Sequence, residues 1–281
     1  MLTVKTNSVA VDPNNQLEFL EKDYAIIRGA TIGLVDFSHP DTFSGADYTG
    51  INIPGGTAVK GLTNDAVDGA IPLEIPNGFS EGVLTLSAST YVSLPSANFK
   101  PPVDGSVDRA VHCFWISVPK TGYPNSTNNN VIVLGDDSTT SNNYGRLSGQ
   151  FDVSTDNASL LKLDWIFYGS NISVPSTAID TLAEGIHQVA FTFEVVDSET
   201  ATVRMYLDNQ LVATRTSTYN DIPNQGGSNF VLGDGEAFNE FANDGMKFGR
   251  INIADLTNRP DISITDYIAR DWEHAKGFFG L

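Results

Sequence analysis

Carboxylates, planar amides and aromatic rings are the side chains in this sequence with the means to act on a ligand, and their spacing decides what each set can do. Glycan hydrolysis needs two carboxyl groups flanking one sugar bond, about 5 to 9.5 Å apart. The string Glu194-Val-Val-Asp-Ser-Glu199 runs straight into a strand pattern, where a polar turn is the plain reading, and no catalytic role is expected of it. Asp234-Gly-Glu236, followed by Glu240 and Asp244, places four carboxylates on one loop. Such a loop chelates a hard cation such as calcium if it curls, and is otherwise a solvated acidic turn. Asp136-Asp137 is a weaker cluster of the same kind.

Sugar recognition needs a ring face to stack on and amides to bond hydroxyls. Tyr123, Asn125 and Asn128 share one loop with Asn129 and Asn130, and Asn142, Asn143 and Tyr144 lie on the next. The two loops flank Val131-Ile-Val-Leu134 and are expected at opposite ends of that strand. The four histidines are dispersed, Glu273-His274 lacks the second histidine of a zinc helix, and no phosphate-binding or dinucleotide fingerprint is present.

These loops hang on a readable scaffold. In Thr200-Ala-Thr-Val-Arg-Met-Tyr-Leu207, Val203, Met205 and Leu207 alternate with Thr202, Arg204 and Tyr206, so one face is apolar and the other wettable. Asp208-Asn209 supplies a turn, and Val189, Phe191, Phe193 and Val195 form a second stripe of the same period. Further strands are expected at regular intervals from Val83 to Ile253. Residues 30–80 read as a long connection carrying few strands. Half-buried strands at this density predict an all-β, antiparallel, two-sheet jelly-roll sandwich. One helix is expected near the C-terminus: Ser263-Ile-Thr-Asp266 has capping-box spacing, Ile264, Tyr267, Ile268, Trp272 and Ala275 fall on one face, and Gly277 is the stop.

Residues 1–29 differ. Leu17, Leu20, Tyr24 and Ile27 recur at helical spacing before Gly29, too briefly for an independent coiled coil. They form an N-terminal arm that either lies on the main domain, residues 30–281, or ties it to a neighbouring subunit.

Composition narrows the partners. Asp and Glu number 34 against 16 Lys and Arg, and a net charge of -18 repels nucleic acid and anionic membrane surfaces. Cys113 is the single cysteine and lies in an apolar run, so it reads as a small buried hydrophobe. No secretory or membrane-spanning segment is visible, and assembly in a reducing cytoplasm is the expectation.

Several segments carry a resemblance to the laminin-G-like branch of the concanavalin A-like jelly rolls. Tyr91-Val-Ser-Leu-Pro95, His112-Cys-Phe-Trp-Ile116, Gly185-Ile-His-Gln-Val-Ala190, Tyr206-Leu-Asp-Asn-Gln-Leu-Val212 and Phe248-Gly-Arg-Ile-Asn-Ile253 are similar, in order, to its strand motifs, with Ile186 in place of a tryptophan and Asn209 in place of a glycine. These are packing signatures. The resemblance implies a domain that binds sugars or proteins, hydrolyses glycans or serves on viral particles. The Glu-x-Asp-x-x-Glu string of the fold's retaining glucanases is absent from the sequence. The expectation is a non-enzymatic virion protein, a capsid decoration or a tail or baseplate component of a tailed bacteriophage. It would be homo-oligomeric, docked to other virion proteins through residues 1–29 and contacting host glycans. Tyr123, Asn125, Asn128 and Tyr144 would meet the sugar and Asp234, Glu236, Glu240 and Asp244 any calcium. A soluble lectin is the alternative, and a glycoside hydrolase of this fold a more distant one.

Overall fold

Period-two alternation sorts the strands into two antiparallel layers. The computed structural model describes residues 23, 25–42, 52–63, 68–87, 90–95, 108–119, 130–136, 147–153, 160–167, 170–173, 176–218, 229–233 and 245–281. With strands numbered along the chain, the first sheet runs β14 (Gln210–Thr218), β13 (Thr200–Leu207), β12 (His187–Val195), β7 (Arg109–Ser117), β16 (Lys247–Asp255), β5 (Val83–Thr85) and β4 (Phe79–Ser80). Strand β1 (Thr31–Asp36) pairs with β16 along Arg250 to Ala254, past the short stretch that pairs with β5. The second sheet runs β11 (Ser170–Ser173), β10 (Leu160–Phe167), β9 (Leu147–Val153), β8 (Asn130–Asp136), β15 (Asn229–Gly233), β6 (Tyr91–Pro95), β3 (Gly69–Ile71) and β2 (Thr57–Val59). The expected antiparallel sandwich is the fold.

The core lies where the two sheets face each other. Phe114, Phe191, Phe193, Val203, Met205, Ile251 and Ile253 project inward from the first sheet and meet Val92, Leu94, Phe230 and Leu232 of the second, all at most 1% exposed. Phe114 and Phe230 stack across the gap, ring centroids 6.3 Å apart and 3° from parallel.

Helix α2 (Ile264–Ala275) covers the opposite face of the first sheet. An α-helix, α1 (Ser176–Glu184), precedes it in the chain. Ser263 caps α2 as its spacing predicts, its hydroxyl accepting the Asp266 N–H at 3.0 Å. Ile264, Tyr267 and Ile268 settle on Val111, Cys113, Ala190 and Ala254, whose short side chains let the helix approach the sheet closely. Burial, reinforced by the nearby Asp271 charge, pushes the Cys113 thiol up, and this cysteine is the inert hydrophobe its sequence context implies.

Three details differ from the sequence reading. Residues 30–80 contribute β1 to β4, because their short apolar pieces extend the margins of both sheets, with β1, β2 and β4 at edges and β3 between β2 and β6. Helix α1 falls where no helix was expected; its Ala178 and Leu182, one turn apart, reach the core, and the Leu182 carbonyl accepts from Val118 N and Ser117 Oγ. Helix α2 ends at Ala275, just ahead of Gly277 as expected, but Gly277 does not end the helical run. The chain continues as a 3-10 turn over Lys276–Phe278, which lets Phe279 lie so close to Gly249 that a Cβ there would sit 2.3 Å from its ring.

The turn from β13 to β14 holds as read: Asp208 and Asn209 have φ of 48° and 61°, the left-handed pair a two-residue hairpin requires. Valine tolerates that region poorly. Asn209→Val should therefore lower unfolding free energy by about 1–3 kcal/mol in urea titration, with Asn209→Gly at or above wild type.

Candidate functional site

The residues expected to meet a ligand, Tyr123, Asn125, Asn128, Tyr144, Asp234, Glu236, Glu240 and Asp244, lie outside the described residues. The described strands fix where their segments attach. Lys247 at the start of β16 pairs with Ser117 at the end of β7, and Leu86, just past β5, exchanges backbone hydrogen bonds with Met246 and Gly245. Gly233, the end of β15, presses on the same place: with φ of 90°, a Cβ on it would lie 2.4 Å from Leu86 Cδ1 and 2.9 Å from the Thr90 carbonyl. Because β8 runs antiparallel to β15, pairing Asp136 with Phe230 and Leu134 with Leu232, its first residue points to this rim and its last to the other. The segment with Tyr123, Asn125 and Asn128 and the segment with Asp234 to Asp244 thus spring from one rim. The segment with Tyr144 springs from the opposite end of β8, about 20 Å away for seven residues.

The same rim holds the His187–Asp208 pair. His187 Nδ1 lies 2.8 Å from Asp208 Oδ2, while Asp208 Oδ1 accepts the Gln188 N–H at 3.1 Å. The pair pins the start of β12 to the β13–β14 turn. At the far rim the string Glu194 to Glu199 is the turn it was read as: Asp197 Oδ1 accepts the Glu199 and Thr200 N–H groups, which hold its carboxyl below the usual range, and Glu194 bonds Arg204 at 2.8 Å. His112 faces the core, where burial pushes its imidazole down to about 3 and keeps it neutral.

The densest polar cluster among the described residues lies elsewhere, under α2. Alternation along β16 sends Ile251 and Ile253 into the core and Arg250 and Asn252 out toward the helix, yet both polar side chains are 0% exposed. Arg250 donates through Nε to Asp271 Oδ1 at 2.8 Å, through Nη1 to Asp23 Oδ2 and Asp36 Oδ2 at 2.6 Å each, and through Nη2 to Asp23 Oδ1 at 2.9 Å. Asp271 also accepts from Asn252 Nδ2, Trp115 Nε1 and Gln188 Nε2, at 2.8–2.9 Å. Tyr267 donates to Asn252 Oδ1 at 2.7 Å and meets Thr31 Oγ1, which accepts the Ile27 N–H.

Each charge there is held by its neighbours. Burial opposes ionisation of Asp23, but hydrogen bonds from His274 and Arg250 and the guanidinium charge outweigh it, holding its carboxyl well below the usual range. Burial likewise disfavours charged Arg250, and Asp271, Asp23 and Asp36 more than reverse that. Ligand atoms of Asp23, Asp36 and His274 lie within 4.8 Å of one another, a spacing that would suit a metal ion. Arg250 Nη1 stands at 2.6 Å from both carboxylates and fills the position of the cation, so the cluster is an arginine lock.

The lock fastens Asp23, and with it the described residues 25–30, to β16 and α2. Asp23, Ala25 and Ile26 are buried, the Arg28 carbonyl accepts from Arg259 Nη1, and the Ala30 carbonyl accepts the Asp255 N–H. Sequence reasoning passed over Arg250, Asp36 and Asp271. The available signal was an arginine and an asparagine on the outward face of an otherwise apolar strand, with an aspartate on the buried stripe of the helix destined to cover it.

No known family profile and no curated protein matches the chain. Solved structures do share its fold. Trypanosoma rangeli sialidase in complex with 2,3-difluoro-KDN superposes with a TM-score of 0.53 at 12% identity, over 87% of this chain and 32% of that one. The same enzyme in complex with sialic acid gives 0.52 at 11%, over 87% and 33%. A mutant of HCR/D gives 0.53 at 12%, over 86% and 50%. The chain thus spans about a third of the sialidase chains and half of HCR/D. At this identity the likeness shows a shared β-sandwich.

Proposed function

We propose that this chain is a non-enzymatic adhesion module of an assembled particle, in the first place a virion, carried on residues 1–22 and presenting one rim of its sandwich to glycans. The carrying observation is the arginine lock. The described side chains best suited to acid–base or metal chemistry, Asp23, Asp36, Asp271 and His274, are used to bolt the end of the arm to β16 and α2. A lead-in fastened this way transmits load from a neighbour into a rigid sheet without disturbing the distant loops.

The rim where β7 and β15 end and β8 and β16 begin is the proposed contact surface. Tyr123 would stack on a sugar ring, Asn125 and Asn128 would bond hydroxyls, and the carboxylates from Asp234 to Asp244 would bind calcium on the same side. Tyr144, attached at the other rim, would not share that site. The strong net negative charge favours neutral glycans over phosphate-rich partners. Likeness of fold to sialidase and HCR/D is compatible with this reading, and their ligands are their own.

The test compares the full chain with a truncation that removes residues 1–22 and keeps Asp23, since a deletion through residue 29 would also break the lock. The truncated protein should fold and retain glycan-array binding, with Tyr123→Ala reducing that signal at least about tenfold as a stacked ring is lost. It should also fail to co-purify with assembled particles. A blank array with and without calcium would remove the glycan part of the proposal, and undiminished incorporation the attachment part. Reducing ends released from a polysaccharide panel would overturn its non-enzymatic premise.

A further inference from the structure

The last strand of a sheet offers a row of backbone N–H and C=O groups to any further strand, and folded chains shorten, cover or charge their edges to prevent such pairing. Three of the four strands that end the two sheets are short: β4 has two residues, β2 three and β11 four. Strand β1, which branches from β16, is covered where the Leu34 carbonyl accepts the Leu62 N–H. Strand β14 is built differently. It ends the first sheet with nine residues, and among the described residues β13 is the strand it pairs with. Strand β11 lies against it from the second sheet without pairing to it.

The side chains of β14 suit a second strand. Gln210-Leu-Val-Ala-Thr-Arg-Thr-Ser-Thr218 holds neither proline nor glycine, is rich in β-branched residues, and carries one charge, that of Arg215. Its irregularity lies at the start, where the register shifts beside Tyr206, and Ala213 to Thr218 then pair with β13 without interruption. Leu211 is 55% exposed, and Thr214 and Thr216 are exposed as well. Charge points to the occupant. Two copies of a chain with net charge -18 repel each other over most of their surfaces, yet β14 contains none of the 34 carboxylates.

We propose that β14 is the seat of a second copy of this chain, two β14 strands pairing antiparallel about a two-fold axis so that the first sheets of both copies join. Such an interface is isologous, each residue meeting its symmetry-related counterpart. Ala213 faces the core and Thr214 and Thr216 face outward, opposite Arg204 and Thr202, so inner faces stay inward only if outward residues of one copy oppose outward residues of the other. The axis therefore passes through a residue. Centring on Arg215 would set two guanidinium groups directly opposite each other, which is unfavourable, and leaves Thr214 or Thr216 at the axis. The joined sheet carries both α2 helices, and both Asp23 locks, on one face.

Sedimentation equilibrium of the full chain tests this, with a reversible shift from one to two chain masses expected as concentration rises. Thr214→Lys with Thr216→Lys should weaken the association roughly tenfold, since either axis places like charges opposite each other, and Thr214→Glu with Thr216→Glu should do the same. Mixing the two variants in equal amounts should restore the dimer, which a misfolded variant could not do. Opposed residues have Cα atoms about 4.5–5.5 Å apart, within the roughly 4.4–6.8 Å of a disulfide, so the axis residue replaced by cysteine should cross-link two copies. Cys113 is buried and does not compete, and Val196→Cys, 60% exposed but outside β14, should not cross-link. A chain that stays monomeric at every concentration would overturn the proposal. So would a dimer that both charge variants leave intact, or one lost on removing residues 1–22. Protection of β14 amides that arises when a different particle protein is added to a monomeric chain would give the edge to that partner and overturn the assignment to a second copy. Glycan binding is read separately and decides none of these outcomes.

Discussion

Arg250→Met is expected to remove about 3–5 kcal/mol of unfolding free energy, because it leaves three carboxylates in a dry site without their counter-charge. The size of the effect comes from what remains after the arginine is gone. Asp271 is 0% exposed and Asp23 and Asp36 only 4% and 3%, so water cannot replace the guanidinium. Urea unfolding checks the loss. Replacing Arg250, Asp23 and Asp36 by apolar residues of similar volume together with Asp271→Asn, which keeps a neutral acceptor for Trp115, Asn252 and Gln188, should recover much of it, since a buried ion cluster adds little net stability over well-packed hydrophobes. A loss below about 1 kcal/mol for the single substitution, the scale of an exposed pair, would mean that the lock is not sealed.

Trp115→Ala should be of similar size, about 3–5 kcal/mol, the range for truncating a large core aromatic. The indole is 0% exposed and lies between two rings, Trp272 at 5.5 Å and Phe279 at 5.0 Å, while its N–H bonds Asp271 at 2.8 Å. Truncation empties the seat of the helix and frees one acceptor of the lock. Asp271→Ala removes the same bond from the other side and strands the Arg250 Nε–H and the amides of Asn252 and Gln188. The double variant should therefore be less destabilised than the sum of the singles by about 0.5–3 kcal/mol in denaturant titrations. Strict additivity would mean that indole and carboxylate act independently.

The sequence made the layers legible wherever one face of an element meets water. Val203 and Met205 face inward and Thr202 and Arg204 outward, and Ser263 caps α2, because alternation and capping are local properties. The lock was not legible for the opposite reason. Asp23 and Arg250 are 227 residues apart and Asp36 and Arg250 are 214 apart, and no local pattern announces that a charged side chain will be paired out of water. Asp271 was overlooked within the very stripe that placed Tyr267 and Ile268, since an aspartate there reads as the polar border of a helix. That Tyr123 and Tyr144 belong to segments rooted at opposite ends of β8 was legible from the loops flanking that strand, and topology adds that the segment with Asp234 to Asp244 is rooted at the same rim as the one with Tyr123.

The long separation of Asp23 from Arg250 has a kinetic consequence. A pairing that closes nearly the whole chain bears the largest loop-closure cost, so the lock is expected to form late, on the native side of the folding barrier. Weakening it should speed unfolding and leave refolding almost untouched, which stopped-flow chevrons of Arg250→Met would reveal as a shift confined to the unfolding limb. In the intact protein, the slow escape of the native state is then governed by one guanidinium.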